Sequence, residues 1–414
     1  MTLTRILTKT IKAGGPISIA DFQRTCMSHP ELGYYTRARA GPESTVLGKH
    51  GDFVTSPEIS QTFGELLALW YITRWQAQGQ PRATRIVELG PGRGTLMSDM
   101  LRTFSAFDSF AKTIHSIDLV ESSKYLRSTQ ETLLSSPNSQ RTNAAISWHD
   151  SLETLVKDQN QPSPEEFVIV LAHEFFDALP TNTLELRPTG WHEVMVDVSP
   201  PLITAPVGST ASEASSFRFT ISAAPTSASI LYPQLSERYA KARHEVGSRM
   251  EISLQSHQTA TMIANLIGRQ NGSGKGAGLI IDYGDDKIFG DSFRGFKNHK
   301  LVDPLLEPGS TDLTFNVDFG ALREAMNSQK SKTPVNTHGP ISQRMFLLSM
   351  GLGLRLEKMI EGKDEKTSER IMSSAYRLVD KIGMGTQYKV FGVTAKGDGE
   401  KEKVYPFGDT EEEE

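Results

Sequence analysis

Glu88, Gly90, Gly92 and Gly94 alternate through Glu88-Leu89-Gly90-Pro91-Gly92-Arg93-Gly94. Ile86, Val87 and Leu89 read as a buried strand before this crook, and Leu96, Met97, Met100 and Leu101 as a helix after it. The glycines let the backbone turn tightly and let a ligand approach it closely. A dinucleotide fingerprint, G-x-G-x-x-G, would need a glycine where Thr95 stands. A carboxylate at Glu88 would repel a pyrophosphate and suit a cation. S-adenosylmethionine, with a sulfonium and an ammonium, meets that requirement. A strand, turn and helix without any ligand would use the same residues.

Other acids stand where strands end. Glu121 follows Ser116–Val120 and can accept from two ribose hydroxyls, or cap the next helix. Asp150 follows the strand Ala145–Trp148; it can accept from an adenine amino group, or else it or Ser151 caps the helix at 152–156. The most apolar strand, Phe167–Ala172, runs into His173-Glu174-Phe175-Phe176-Asp177. Ligands of open α/β sheets bind outside the carboxyl ends of the strands, so chemistry belongs at this cluster. His173 either contacts the cofactor or ends the strand. Upstream, Thr55-Ser56-Pro57-Glu58 opens a helix, with Ser56 as N-cap and Phe63, Leu66, Leu67 and Trp70 on it. Its N-terminus can hold the cofactor carboxylate, or be no more than a capped helix.

The elements that must position these residues follow from composition and order. The chain has 414 residues, 37% hydrophobic and 22% charged, enough for one or two folded domains. Its net charge of −5 gives no electrostatic case for nucleic acid and leaves a basic protein substrate open. The lone Cys26 excludes an internal disulfide framework and a cysteine zinc cluster, and reads as core; no metal is expected. No apolar run reaches transmembrane length, so no membrane insertion is expected. Arg5, Lys9 and Lys12 without acids resemble a mitochondrial presequence weakly, while Leu3, Ile6, Leu7 and Ile11 have the spacing of a first folded helix.

In order, residues 1–80 read as a helical segment covering the cofactor site, with Tyr34 and Tyr35 exposed and 36–52 a loop. Residues 81–190 form the cofactor-binding core of alternating strands and helices. Residues 191–275 are an inserted set of strands and helices, with 199–216 a surface loop and 233–270 helical. Residues 276–395 complete the sheet, ending in the strand 388–393, and 396–414 is an acidic tail expected to be disordered. The expected class is α/β, a mostly parallel sheet with one antiparallel strand and an inserted α+β region.

Glu88-x-Gly90-x-Gly92-x-Gly94 with the acids after strands two and three resembles class I S-adenosylmethionine-dependent methyltransferases, which implies a Rossmann-like sheet. Further blocks occur in sequence: Gly51-Asp52-Phe53-Val54-Thr55-Ser56-Pro57-Glu58, His173 to Pro180, Ile281-Asp282-Tyr283-Gly284, Arg294-Gly295-Phe296 with His299, and Pro308-Gly309-x-x-Asp312. Together they resemble the mitochondrial complex I assembly-factor arginine methyltransferases, the mitochondrial dysfunction protein A family. The resemblance implies a matrix enzyme that symmetrically dimethylates an arginine on a core subunit of complex I. It leaves the oligomeric state open.

Guanidinium is always protonated and a poor nucleophile. An enzyme must orient it toward the sulfonium methyl and accept a proton as the N–C bond forms. Carboxylates suit both tasks. Glu174 and Asp177 are the expected catalytic clamp. The competing roles are a salt bridge to the 294–300 segment for Glu174 and a helix N-cap for Asp177. Glu58 and Asp282 are secondary acids, and His299 either lines the substrate entrance or lies on the surface. Two other readings remain: a non-catalytic assembly chaperone with the same fold, and a nicotinamide dehydrogenase, which the glycine spacing and Glu88 disfavour.

Overall fold

Strand β1, Ala83–Leu89, is buried from Thr84 onward, as a strand covered on both faces must be. In the computed structural model it lies within a sheet whose other strands include β2 (Ile114–Val120), β3 (Ala145–His149), β4 (Glu166–His173), β5 (Lys275–Asp285), β6 (Val335–Ser342) and β7 (Tyr388–Ala395). The structure describes residues 2–36, 55–136, 144–158, 165–200, 216–242, 245–269, 274–328, 335–396 and 404–408. The sheet path runs β6-β7-β5-β4-β1-β2-β3. β7 is antiparallel to both its neighbours, and the pairs from β5 through β3 are parallel. This is the α/β sheet with one antiparallel strand expected from the sequence.

Register aligns the carboxyl ends. Leu89 sits beside Val120 on one side and Ala172 on the other, and Ile281 sits beside His173. The chain leaves β1 toward β2 and β3, then returns to β4 and β5 on the opposite side. The strand order therefore reverses between β1 and β4, where such sheets bind ligands. Phe63, Leu66, Leu67 and Trp70 on the helix Thr62–Ala77, with Met97, Met100 and Phe104 on the helix Thr95–Phe104, pack into the core of this unit.

The chain divides into two units: residues 54–176, 258–286 and 322–414 carry this sheet, and residues 1–53, 177–257 and 287–321 form the other. The second unit holds the helices Leu3–Gly14 and Ile19–Ser28 and an antiparallel sheet. Its strands include Ile17–Ser18, Gly190–Val198, Asn182–Arg187 and Arg249–Ile252, with Phe217–Ile221 on Gly190–Val198. A three-stranded sheet, Lys300–Val302, Arg294–Lys297 and Asp312–Thr314, completes it. Leu3, Leu7, Phe22 and Cys26 share one core with Val194, Val196 and Phe217.

Several expectations are corrected. The N-terminal segment is not one body to residue 80: Ile17 and Ser18 pair with Val196 and Met195, while the helix Thr62–Ala77 belongs with the parallel sheet. Tyr34 is fully buried, because its ring packs in the core with Leu3 and Phe22. Within 233–270, Arg249–Ile252 is a strand paired with Asn182–Glu185. The tail is not wholly loose: Val404 is buried and the Trp70 indole donates to the Tyr405 carbonyl at 3.0 Å. Residues 37–52, 201–215 and 409–414, from the expected loops and tail, lie outside the described residues.

Candidate active site

At the end of β1 the crook holds Gly90, Gly92 and Gly94 at φ +64°, +53° and +83°. L side chains rarely adopt these angles, which is why glycine occupies them. The Gly94 amide donates to the Pro91 carbonyl at 2.8 Å, and Gly94 is the N-cap residue of the helix Thr95–Phe104. A Cβ on Gly90 would come within 3.0 Å of the Phe175 ring, so the turn after β4 lies against the crook.

Glu88 is 2% exposed, and its Oε2 has no hydrogen-bond partner among the described residues. Burial pushes its carboxyl up to about 8. An orphaned buried carboxylate oxygen beside a glycine crook fits a ligand that brings an ammonium. Glu121 ends β2 and is also buried. Its Oε1 accepts from the Ser123 amide at 2.7 Å and its Oε2 from Gln130 Nε2 at 3.3 Å. Burial raises Glu121 to about 7, against those hydrogen bonds. Ser123, not Glu121, is the N-cap of the helix Lys124–Leu134, with its Oγ accepting from Leu126.

Asp150 lies past β3 with a 79% exposed side chain, paired with Arg127. The following helix is capped by Ser151, whose Oγ accepts from the Thr154 amide at 3.2 Å. Thr55 is the N-cap of a one-turn helix, Ser56–Ile59, and its side chain makes no cap bond. Ser56 Oγ instead turns toward Gln343 Oε1 at 3.4 Å. Ser56 is therefore not the N-cap, and the apolar residues assigned to this helix sit on the next one, Thr62–Ala77. A single turn aligns few peptide dipoles, so the macrodipole adds little to a carboxylate site there.

Past β4, Glu174 has φ +50°, unusual for a residue with a side chain. Its amide donates to the Ile281 carbonyl at 3.0 Å. The next two amides, of Phe175 and Phe176, both donate to Asp282 Oδ2, at 3.1 and 2.9 Å. Asp282 is thus the brace of this turn. The Glu174 side chain is 16% exposed, and its Oε1 accepts from the Tyr388 hydroxyl at 2.7 Å. His173 is buried between Phe63 and Tyr388, and burial lowers its imidazole to about 3. Its 3.5 Å approach to Glu174 is therefore that of a neutral ring, not an ion pair.

Asp177 opens a turn, not a helix, because the chain continues into the strand Asn182–Arg187; the competing role of helix N-cap is therefore absent. It lies in the unit with Arg294, whose charge opposes the upward push of burial on its carboxyl, at about 6. The Arg294 charge thus acts on Asp177, while Tyr388 hydrogen-bonds to Glu174. Glu58 lies 3.7 Å from Arg93 of the crook, and His299 is exposed at a hairpin tip. As site residues, Tyr388, Gln130 and Trp148 do not stand out in the sequence. Tyr388 and Trp148 carry a signal only as members of strands, and Gln130 carries none.

Residues 66–340 match the sequence profile of S-adenosyl-L-methionine-dependent methyltransferases. The chain is 36% identical over 407 residues to "Protein arginine methyltransferase NDUFAF7, mitochondrial" of Danio rerio, covering 95% of this chain and 86% of that one. It belongs to this methyltransferase family. The Homo sapiens member is 34% identical over 408 residues, covering 94% and 83%. The Drosophila melanogaster homologue is 36% identical over 405 residues, covering 94% and 84%. A Burkholderia thailandensis crystal structure bound to S-adenosyl-homocysteine shares the fold, with a TM-score of 0.72 at 22% identity over 95% of this chain and 92% of that chain. Membership of this family makes S-adenosyl-L-methionine the cofactor of the methyltransferase.

Proposed function

We propose that this methyltransferase acts on a protein arginine, dimethylating it symmetrically on a core subunit of respiratory complex I in the mitochondrial matrix during assembly. The relatives named as mitochondrial protein arginine methyltransferases support the substrate class and the compartment. The observation that carries the chemistry is Glu174, held at the carboxyl end of β4 by a strained backbone and by Tyr388.

Glu88, the three glycines of the crook and Glu121 are assigned to the cofactor, which supplies an electrophilic methyl on sulfonium. Glu88 receives the ammonium at its orphaned oxygen. Asp150 is the assigned acceptor for the adenine amino group, from the end of β3. Glu174 receives the guanidinium. A carboxylate has about four acceptor sites, and Tyr388 takes one of them. Pairing to Glu174 localises electron density on one guanidinium nitrogen and fixes its line of approach. Asp177, whose carboxyl feels the Arg294 charge, is assigned to that charge rather than to the guanidinium.

The test is mass spectrometry of the complex I core subunits after incubation with this protein and S-adenosylmethionine. Symmetric dimethylarginine is expected. An unmodified subunit that still binds the protein would replace the enzyme reading with an assembly chaperone.

A further inference from the structure

Gln130 is fully buried on the helix Lys124–Leu134. The Trp148 indole donates to its Oε1 at 2.9 Å. An indole N–H can only donate, so this bond decides which end of the amide is oxygen. The amide NH2 is thereby turned to the other side, where it donates to the Gly92 carbonyl at 2.7 Å and to Glu121 Oε2 at 3.3 Å. The stem is also engaged: a Cβ on Gly94 would lie 3.4 Å from Gln130 Cγ. One side chain therefore touches the crook at two glycines and the acid that ends β2.

We propose that Gln130 is a positioning residue for cofactor binding, fixing the Gly92 carbonyl and the Glu121 carboxylate relative to each other, with Trp148 locking its orientation. The proposal rests on the reading that the crook and Glu121 hold the cofactor. Gln130 bears no charge and reaches two acceptors, a role only an NH2 can fill. A glutamate there would keep the shape and still accept from Trp148, but would turn an acceptor toward the Gly92 carbonyl and a charge toward Glu121. A purely space-filling role would tolerate that exchange; a positioning role would not.

The experiment titrates S-adenosylhomocysteine into the full chain by calorimetry at pH 8. Gln130→Glu and Gln130→Met are each expected to lose about tenfold or more in affinity, the scale of one or two hydrogen bonds. In Gln130→Glu the Trp148 indole N–H resonance should keep its hydrogen-bonded position, showing that the packing survives. Wild-type affinity in Gln130→Glu would overturn the proposal. Should both variants fail to fold, the wild-type protein decides: the Gln130 side-chain amide resonances must shift on titration, and unmoved resonances would overturn it. Gly92→Val separates the two levels. If it binds normally, the cofactor reading of the crook fails; if it loses binding while Gln130→Glu does not, only the role of Gln130 fails.

Discussion

Tyr388 donates its hydroxyl to Glu174 Oε1 across 2.7 Å, and its ring lies nearly parallel to that of His173. Burial holds the Tyr388 phenol well above its usual range, so it stays a donor at working pH. The bond selects one rotamer of a carboxylate whose backbone is already fixed by Ile281 and Asp282. Tyr388→Phe should therefore lower kcat by about 10- to 100-fold, the worth of a hydrogen bond to a charged group, with little change in S-adenosylhomocysteine affinity. Glu174→Gln should keep that affinity and lose methyl transfer. Single-turnover assays paired with calorimetry separate these effects, and undiminished turnover in Glu174→Gln would remove it from the mechanism.

Glu88 makes a proton-linkage prediction. Its carboxyl, ordinarily near 4.5, is raised to about 8 by burial, so at pH 7 the ligand-free protein carries it mostly protonated. An ammonium seated beside it favours the ionised form, so S-adenosylhomocysteine binding near pH 7 should release a sizeable fraction of a proton. Calorimetry in buffers of different ionisation enthalpy measures that fraction, and Glu88→Gln should abolish it. Stability moves the same way. Between pH 4.5 and 8 the folded state holds a proton on Glu88 that the unfolded state has lost, so this contribution is full below about 4.5 and falls as pH rises through 8. The melting temperature of Glu88→Gln should accordingly depend less steeply on pH across that window.

What could be read in advance was local. β1, β2, β4 and β5 announce themselves as buried runs, and the crook declares its ligand because acid and glycines are contiguous. β6 is hidden in the sequence: Asn336, Thr337, His338, Gly339 and Pro340 show no apolar alternation, and a strand at the end of the sheet path, paired among the described residues with β7 and with a shift in register after His338, needs none. Arg249–Ile252 is a strand only by virtue of a partner more than sixty residues away. The supports of the site are hidden for the same reason. Tyr388 meets Glu174 across 214 residues, and Gln130 looks like any polar helix residue until Trp148 and Gly92 close on it.

Gly92→Val places a β-branched residue at φ +53°, a conformation such side chains avoid at about 1–3 kcal/mol. Gly92→Ala keeps most of that strain with a smaller side chain. S-adenosylhomocysteine affinity is expected to fall in both and to vanish in Gly92→Val. Equal affinities in the three proteins would show that the ligand does not lie against the crook.

Arg85 and Asp118 form an ion pair of 2.7 Å between β1 and β2, each side chain 3% exposed, and His149 of β3 reaches the other carboxylate oxygen at 2.8 Å. Among the described residues Arg85 Nη2 has no partner, so the arrangement is held together chiefly by Asp118. Asp118→Ala would strand a buried guanidinium in the middle of the sheet, and such losses cost about 3–5 kcal/mol. Replacing both partners, Arg85→Met with Asp118→Leu, removes the stranded charge together with the pair, and most of the loss should be recovered. Denaturant midpoints of the single and double variants measure this. A loss below about 1 kcal/mol in Asp118→Ala would mean that water reaches Arg85 and that β1 and β2 part more easily than their register suggests.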